Sequence, residues 1–431
     1  MNDAGLSYQQ APPFGAPLRF FLVAPLFLLA ATALALTHPD WLSSRWSPAA
    51  LALTHLITLG YLGMIMLGAL LQILPVVLGV PVPAVRLVAW TGLLALACGT
   101  PCLAVGFLLS LTSSLHAGML IFAIGLPPVL IAIAFSLARS AAPLVAWPIR
   151  LAVLALAVTL TLGIAHAGGL YGVWPQPENI DLTPLHVAWG LIGWILALVA
   201  GVAYQVVPML QITPSYPAWL SRRLNGLILV GLLIFSWPVD KAWGAAMNQV
   251  GELLLAVAAL AFALATLRIH AQRRRKIADV TLDFWRLGMA CLIIAAPVYL
   301  LLPLLPESRL ETAQISLGLL FLFGFAVPVV SGMLYKIVPF LAWFHLKTQT
   351  GARIGEIPNM REMIPDRLAR QHFGLHLAAL ALLLPAPFLP SPAARLVGSL
   401  GLALAAAGAI RQGLNLLHAR RLFLRFGGKL G

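Results

Sequence analysis

Ten histidines are spread through a chain of 431 residues, most of them in or beside long apolar stretches. An imidazole in such a stretch needs a hydrogen-bond partner or a metal, because an unpaired polar group in hydrocarbon is costly. His55 lies several residues inside one apolar run, and His116, His166 and His186 stand near the ends of others. His372 and His376 sit at i, i+4, a spacing that can chelate one metal from one helix face, although Arg370 beside them favours an interfacial pair. Met64 and Met66 could offer thioethers to Cu(I) next to His55, but read more simply as packing residues. Cys98, Cys102 and Cys291 all fall inside apolar runs and read as packing.

Other polar residues are few. Lys336 stands inside an apolar run, where it could close an ion pair, serve a proton or substrate path, or snorkel to the surface. Glu252 is the main carboxylate in such a run and could relay protons or pair with a polar neighbour. No Ser/His/Asp set, phosphate loop, zinc motif or Cys-x-x-Cys-His occurs, and no residue is assigned a catalytic role.

The elements that must position these groups are membrane helices. Hydrophobic residues make up 61% of the chain and charged residues 9%, against roughly 25% charged in a soluble domain. Apolar runs predict twelve spans at 18–36, 49–77, 87–110, 116–137, 147–166, 184–209, 223–238, 245–268, 284–304, 313–342, 370–388 and 394–417. The first run ends in Thr-His-Pro-Asp, not in a small-residue cleavage site, and reads as a span. Of the Lys and Arg residues outside the spans' interiors, 22 fall on the side of both termini and 4 on the other. The termini are therefore expected in the cytoplasm of a bacterial-type inner membrane. This clustering in alternate loops also sets aside nucleic acid as the reason for the net charge of +14. Two polar stretches are expected inside, 269–283 and 343–369, the second a loop that caps the bundle or docks a partner.

One pattern recurs three times. Gly60, Gly68, Gln72 and Pro75 lie in span 2; Gly193, Gly201, Gln205 and Pro208 in span 6; Gly324, Gly332, Lys336 and Pro339 in span 10. The internal spacing is the same each time, and successive copies begin 133 and 131 residues apart. Small residues at helical spacing let helices approach closely in lipid. The pattern predicts an all-α membrane protein of three four-helix units, roughly 18–137, 147–268 and 284–417, about a pseudo-threefold axis. The glycine faces of spans 2, 6 and 10 are expected to meet at the centre.

Twelve spans in three four-helix arcs resemble subunit I of the haem–copper oxidases, including nitric oxide reductases, with the histidine-bearing NnrS proteins as relatives in style. Thr-His-Leu-Ile-Thr-Leu-Gly-Tyr-Leu-Gly at 54–63 is similar to the start of span 2 in that superfamily, where a histidine ligates the low-spin haem. His55 holds the matching place, and His186 falls where the oxidases carry a copper-ligating histidine. The resemblance implies haem b on His55, with His116, His166 or His186 as the second axial ligand and copper disfavoured. The alternative is a helix-packing histidine left from an ancestral haem site. Spans 7 and 10 lack the histidines that complete the oxidases' binuclear centre, which argues against oxygen or nitric oxide reduction. The implied roles are electron transfer, redox or nitric oxide response, or respiratory-complex assembly, with a c-type cytochrome or a respiratory-complex subunit as partner. A different reading is a transporter with a polar site at Gln72, Gln205 and Lys336, since Gly- and Pro-broken repeats are a transporter habit.

Overall fold

A computed structural model of the protein describes residues 8–140, 143–175, 181–238, 243–274, 277, 279–351 and 356–431. Lys241, Arg275, Lys276 and Arg353, four of the charges that orient the chain, lie outside the described residues. The fold is helical, and among the described residues twelve helices are long and apolar enough to cross a membrane. They are Gly15–Thr37, Pro48–Leu78, Val85–Leu108, Thr112–Ala138, Val145–Leu170, Thr183–Gln211, Ala218–Phe235, Gly244–Ala271, Val280–Leu304, Glu307–Thr350, Asp366–Phe388 and Ser391–Arg425, called spans 1 to 12. Each overlaps one expected span, and the chain is a multi-pass membrane protein.

The main differences are at polar ends. Span 10 starts at Glu307 and continues to Thr350. Hydropathy falls off there, but Glu, Arg, Leu and Gln are good helix formers and the backbone ladder continues through them. The helix stops where Gly351 turns left-handed (φ 65°) and donates its N–H to the Lys347 carbonyl. A short helix, Met360–Met363, follows, capped reciprocally by Asn359 and Glu362. Within 343–369, the residues 343–350, 360–363 and 366–369 are helical, and 352–355 lie outside the described residues.

Spans 2, 6 and 10 are the inner helices. In their most apolar stretches 83, 61 and 83% of residues are buried, whereas no other span exceeds 50%. The remaining nine surround them, with span 4 against 5, 8 against 9 and 12 against 1. Both termini lie at one end of the bundle, as an even number of crossings requires. The Gly15 N–H donates to the Leu430 carbonyl (2.8 Å), and the Lys429 N–H to Gln349 Oε1 (2.7 Å).

The repeated glycines do not meet at the centre. Each faces the helix that precedes its own. A Cβ on Gly68 would lie 2.8 Å from Phe20 Cβ, one on Gly201 2.6 Å from Pro148 Cβ, and one on Gly332 2.7 Å from Phe284 Cβ. The glycines at 60, 193 and 324 likewise face Phe27, Ala155 and Cys291. Small residues thus seat span 1 on 2, 5 on 6 and 9 on 10. What faces the centre is a set of five apolar residues from each inner span. Ile65, Leu198 and Val329 begin these sets and Ile73, Val206 and Ile337 end them, at the intervals that separate the glycines.

The three inner spans share one further feature. Each opens into a π-helical segment of eight residues: Leu56–Gly63, Trp189–Leu196 and Leu319–Ala326. Such segments are rare, and they gather at functional sites. The first glycine of each pattern lies within one.

Candidate functional site: a pair of facing histidines

Two of the π-helical segments begin just after a histidine. His55 is the last residue of the α-helical first turns of span 2, and His186 lies three residues before the segment in span 6. Both are at the end of the bundle away from the termini. Their rings come together, with centroids 6.3 Å apart and planes inclined by 20°.

The hydrogen bonds fix which nitrogen of each ring is free. His55 Nδ1 is 2.8 Å from the Leu51 carbonyl oxygen, and His186 Nδ1 is 3.0 Å from that of Thr159 on span 5. A carbonyl only accepts, so each Nδ1 carries the proton and each Nε2 keeps its lone pair. Among the described residues neither Nε2 has a hydrogen-bond partner. A donated Nδ1 proton is the usual device for holding a metal-ligating imidazole in one tautomer and orientation. Space for the His186 ring is made by Gly163, where a Cβ would lie 2.8 Å from His186 Cε1. Phe107 covers His55 at 5.1 Å between ring centres.

The other two candidates are engaged elsewhere. His116 Nε2 donates to the Tyr171 carbonyl at 3.1 Å. His166 Nε2 is 2.9 Å from Thr183 Oγ1, at the start of span 6. Of His116, His166 and His186, only His186 has its ring facing His55 with Nε2 uncommitted. Among the described residues no three His, Cys, Asp or Glu side chains gather as a metal site.

Lys336 forms an ion pair, with Nζ 2.7 Å from Asp279 Oδ2, and Arg273 Nη2 reaches the same oxygen at 3.2 Å. The Asp279 side chain also accepts from the Thr281 N–H (3.1 Å), capping span 9. None of Gln72, Gln205 and Lys336 lines the pocket between the inner spans, which takes the adjacent positions 73, 206 and 337. Glu252 accepts a hydrogen bond from the Tyr299 hydroxyl at 3.0 Å.

His372 and His376 are not interfacial. They are buried, at 1 and 2% exposure, on the inner face of span 11. His372 Nδ1 is 2.8 Å from the Tyr335 hydroxyl, to which Asn415 Nδ2 donates at 3.2 Å. His376 Nε2 donates to the Phe323 carbonyl at 3.0 Å, within the π-helical segment of span 10. Nearby, Tyr61 of span 2 bonds to Ser331 of span 10 (2.6 Å) and Gln412 of span 12 (3.0 Å). These bonds tie spans 2, 10, 11 and 12 together. The signal for them was Gln412 and Asn415, two amides at i, i+3 in an apolar run, which in lipid must face protein. His345 falls within span 10 at its terminal end, where its ring stacks on Phe14 at 5.6 Å.

No family model matches this chain, and no curated protein is similar to it at a significant level.

Proposed function

We propose that this is a haem–copper-oxidase-like protein of a bacterial-type inner membrane, lacking a complete binuclear centre, in which His55 and His186 hold one haem b for electron transfer. The observation that carries the reading is the pair of rings 6.3 Å apart, each with Nδ1 tied to a carbonyl and Nε2 uncommitted. The two Nε2 lone pairs are the ring atoms that would hold a metal, since each Nδ1 is already bonded to a carbonyl. The donor set also favours haem over a bare ion. Two neutral imidazoles leave a four-coordinate metal half-ligated, whereas a porphyrin brings its own four nitrogens.

A haem held by both His55 and His186 would supply one-electron exchange rather than gas binding. Span 7 has no histidine, and the only one in span 10 is His345 at the opposite end of the helix from His55. Both facts favour an electron relay over oxygen or nitric oxide reduction. The three inner spans, alike in glycines, π-helical segments and cavity positions, support descent from a four-helix unit repeated about a pseudo-threefold axis. The Lys and Arg distribution supports cytoplasmic termini. The histidine pair then lies toward the outer surface, where a c-type cytochrome or a respiratory-complex subunit would exchange electrons with it.

The test is the optical spectrum of purified, dithionite-reduced protein. A sharp α-band is expected that is lost in His55→Ala and in His186→Ala and kept in His116→Ala and His166→Ala. A colourless preparation, or a band that survives His186→Ala, refutes the assignment.

A further inference from the structure

Among the described residues four non-glycine residues have a left-handed backbone, Ala84, Ser110, Ile212 and Trp243, and Ile212 is the only β-branched one. A β-branched residue at φ 57° is strained, because its Cβ crowds the following carbonyl. Strain of this kind persists only where the surrounding structure over-determines it, and it gathers at elements that switch. The repeat shows what the position asks for. Ile212 stands four residues after Pro208 and ends span 6. Four residues after Pro75 stands Gly79, also left-handed (φ 66°), which ends span 2 without strain. Four residues after Pro339 stands Trp343, where span 10 continues as helix.

A clasp grips the residue just before Ile212. The Gln211 carbonyl accepts from Arg273 Nε at 2.7 Å, and the Gln211 amide reaches Met333 Sδ of span 10 at 3.9 Å. Arg273 spends its other nitrogens on the Ile277 carbonyl (3.0 Å) and on Asp279 Oδ2 (3.2 Å). Lys336 of span 10 holds that same oxygen at 2.7 Å. The Arg273 and Asp279 side chains are each only 7% exposed, so salt screens them little. One guanidinium and one carboxylate thus tie the end of span 6 to span 10. On both helices the tie lies three residues from a proline, Pro208 or Pro339, that removes a backbone hydrogen bond.

We propose that the end of span 6 is a strained gate: the Arg273–Asp279–Lys336 clasp holds Ile212 left-handed, and its release lets residues 209–217 swing about Pro208 away from span 10. Val206 and Ile337, the last pocket residues of these two helices, lie just inside the hinge. The swing therefore opens a route to that pocket from the end of the bundle that carries the termini. The gate works with or without haem.

Hydrogen–deuterium exchange of the full-length protein in detergent reads the opening, since protected amides exchange only when their local structure opens. Asp279→Asn keeps an acceptor for the Thr281 N–H and removes the charge. Exchange in peptides covering 207–217 should then rise about tenfold or more, while peptides from the end of span 2 stay unchanged. Ile212→Gly should slow exchange about fivefold, with or without Asp279→Asn, because glycine takes the left-handed backbone freely. Val206→Cys, with Cys98, Cys102 and Cys291 changed to alanine, should react faster with a membrane-impermeant maleimide once Asp279→Asn is added. Unchanged exchange in Asp279→Asn, a rise spread over the whole chain, or an equal or faster rate in Ile212→Gly overturns the gate. A local rise in exchange with no gain in Val206→Cys labelling overturns the route to the pocket.

Discussion

Replacing Gly201 with alanine puts a methyl group where Pro148 already is. The new Cβ would lie 2.6 Å from Pro148 Cβ, with the Pro148 backbone carbon 3.5 Å away. Carbon atoms rest at about 3.5–4.0 Å, so spans 5 and 6 must separate locally by about 1 Å. A proline ring cannot swing aside as a long side chain would. Overpacking of this kind costs roughly 1–3 kcal/mol. Gly226→Ala in span 7 supplies the control, because nothing lies within 4 Å of its Cβ position. There the same substitution relieves a helix-interior glycine and gains roughly 0.5–1 kcal/mol. Unfolding in detergent, followed by tryptophan fluorescence against added denaturant, should give a lower midpoint for Gly201→Ala and an equal or higher one for Gly226→Ala. If the two variants shift together, Gly201 does not seat span 5 against span 6, and the role given to the repeated glycines is wrong.

Three further outcomes follow from the side-chain contacts. Gly163→Val should push the His186 ring off its seat and, if His55 and His186 hold haem as proposed, lower haem content measured by pyridine haemochrome although both histidines remain. Unchanged content would separate Gly163 from the site. Lys336→Met and Asp279→Asn should be less than additive in stability, with a coupling energy of roughly 1–3 kcal/mol. Additive losses would mean the ion pair contributes nothing. Tyr335→Phe removes a hydroxyl that bonds to both His372 and Asn415 and should cost roughly 1–3 kcal/mol in the same denaturant series. A neutral result would show that solvent reaches the network.

The twelve crossings were legible because twenty-residue apolar runs leave a helix few alternatives in lipid. The repeat was legible too, since glycines, glutamines and prolines stand at fixed spacing. The direction of the glycines was not. Small residues announce a close approach without naming the helix that approaches, and only the neighbours of Gly68, Gly201 and Gly332 show it to be the preceding one. The ends of span 10 were hidden by Glu307, Glu311 and Lys347, which hydropathy reads as loop although each suits a helix. Asp279 was missed for a related reason: it stands ahead of the apolar run, and its reach back to Lys336 depends on how spans 9 and 10 pack. His55 could be singled out in one chain. Its pairing with His186 could not, because 131 residues separate them and the contact rests on how the first turns of spans 2 and 6 are brought together in space.

The proposal that His55 and His186 share one haem iron is tested most directly by electron paramagnetic resonance of the oxidised protein. Imidazole planes only 20° apart predict the rhombic low-spin ferric signal of two near-parallel histidines, replaced in His186→Ala by a high-spin signal. A high-spin signal in the wild type, the strongly anisotropic low-spin signal of crossed rings, or no ferric haem signal would contradict it.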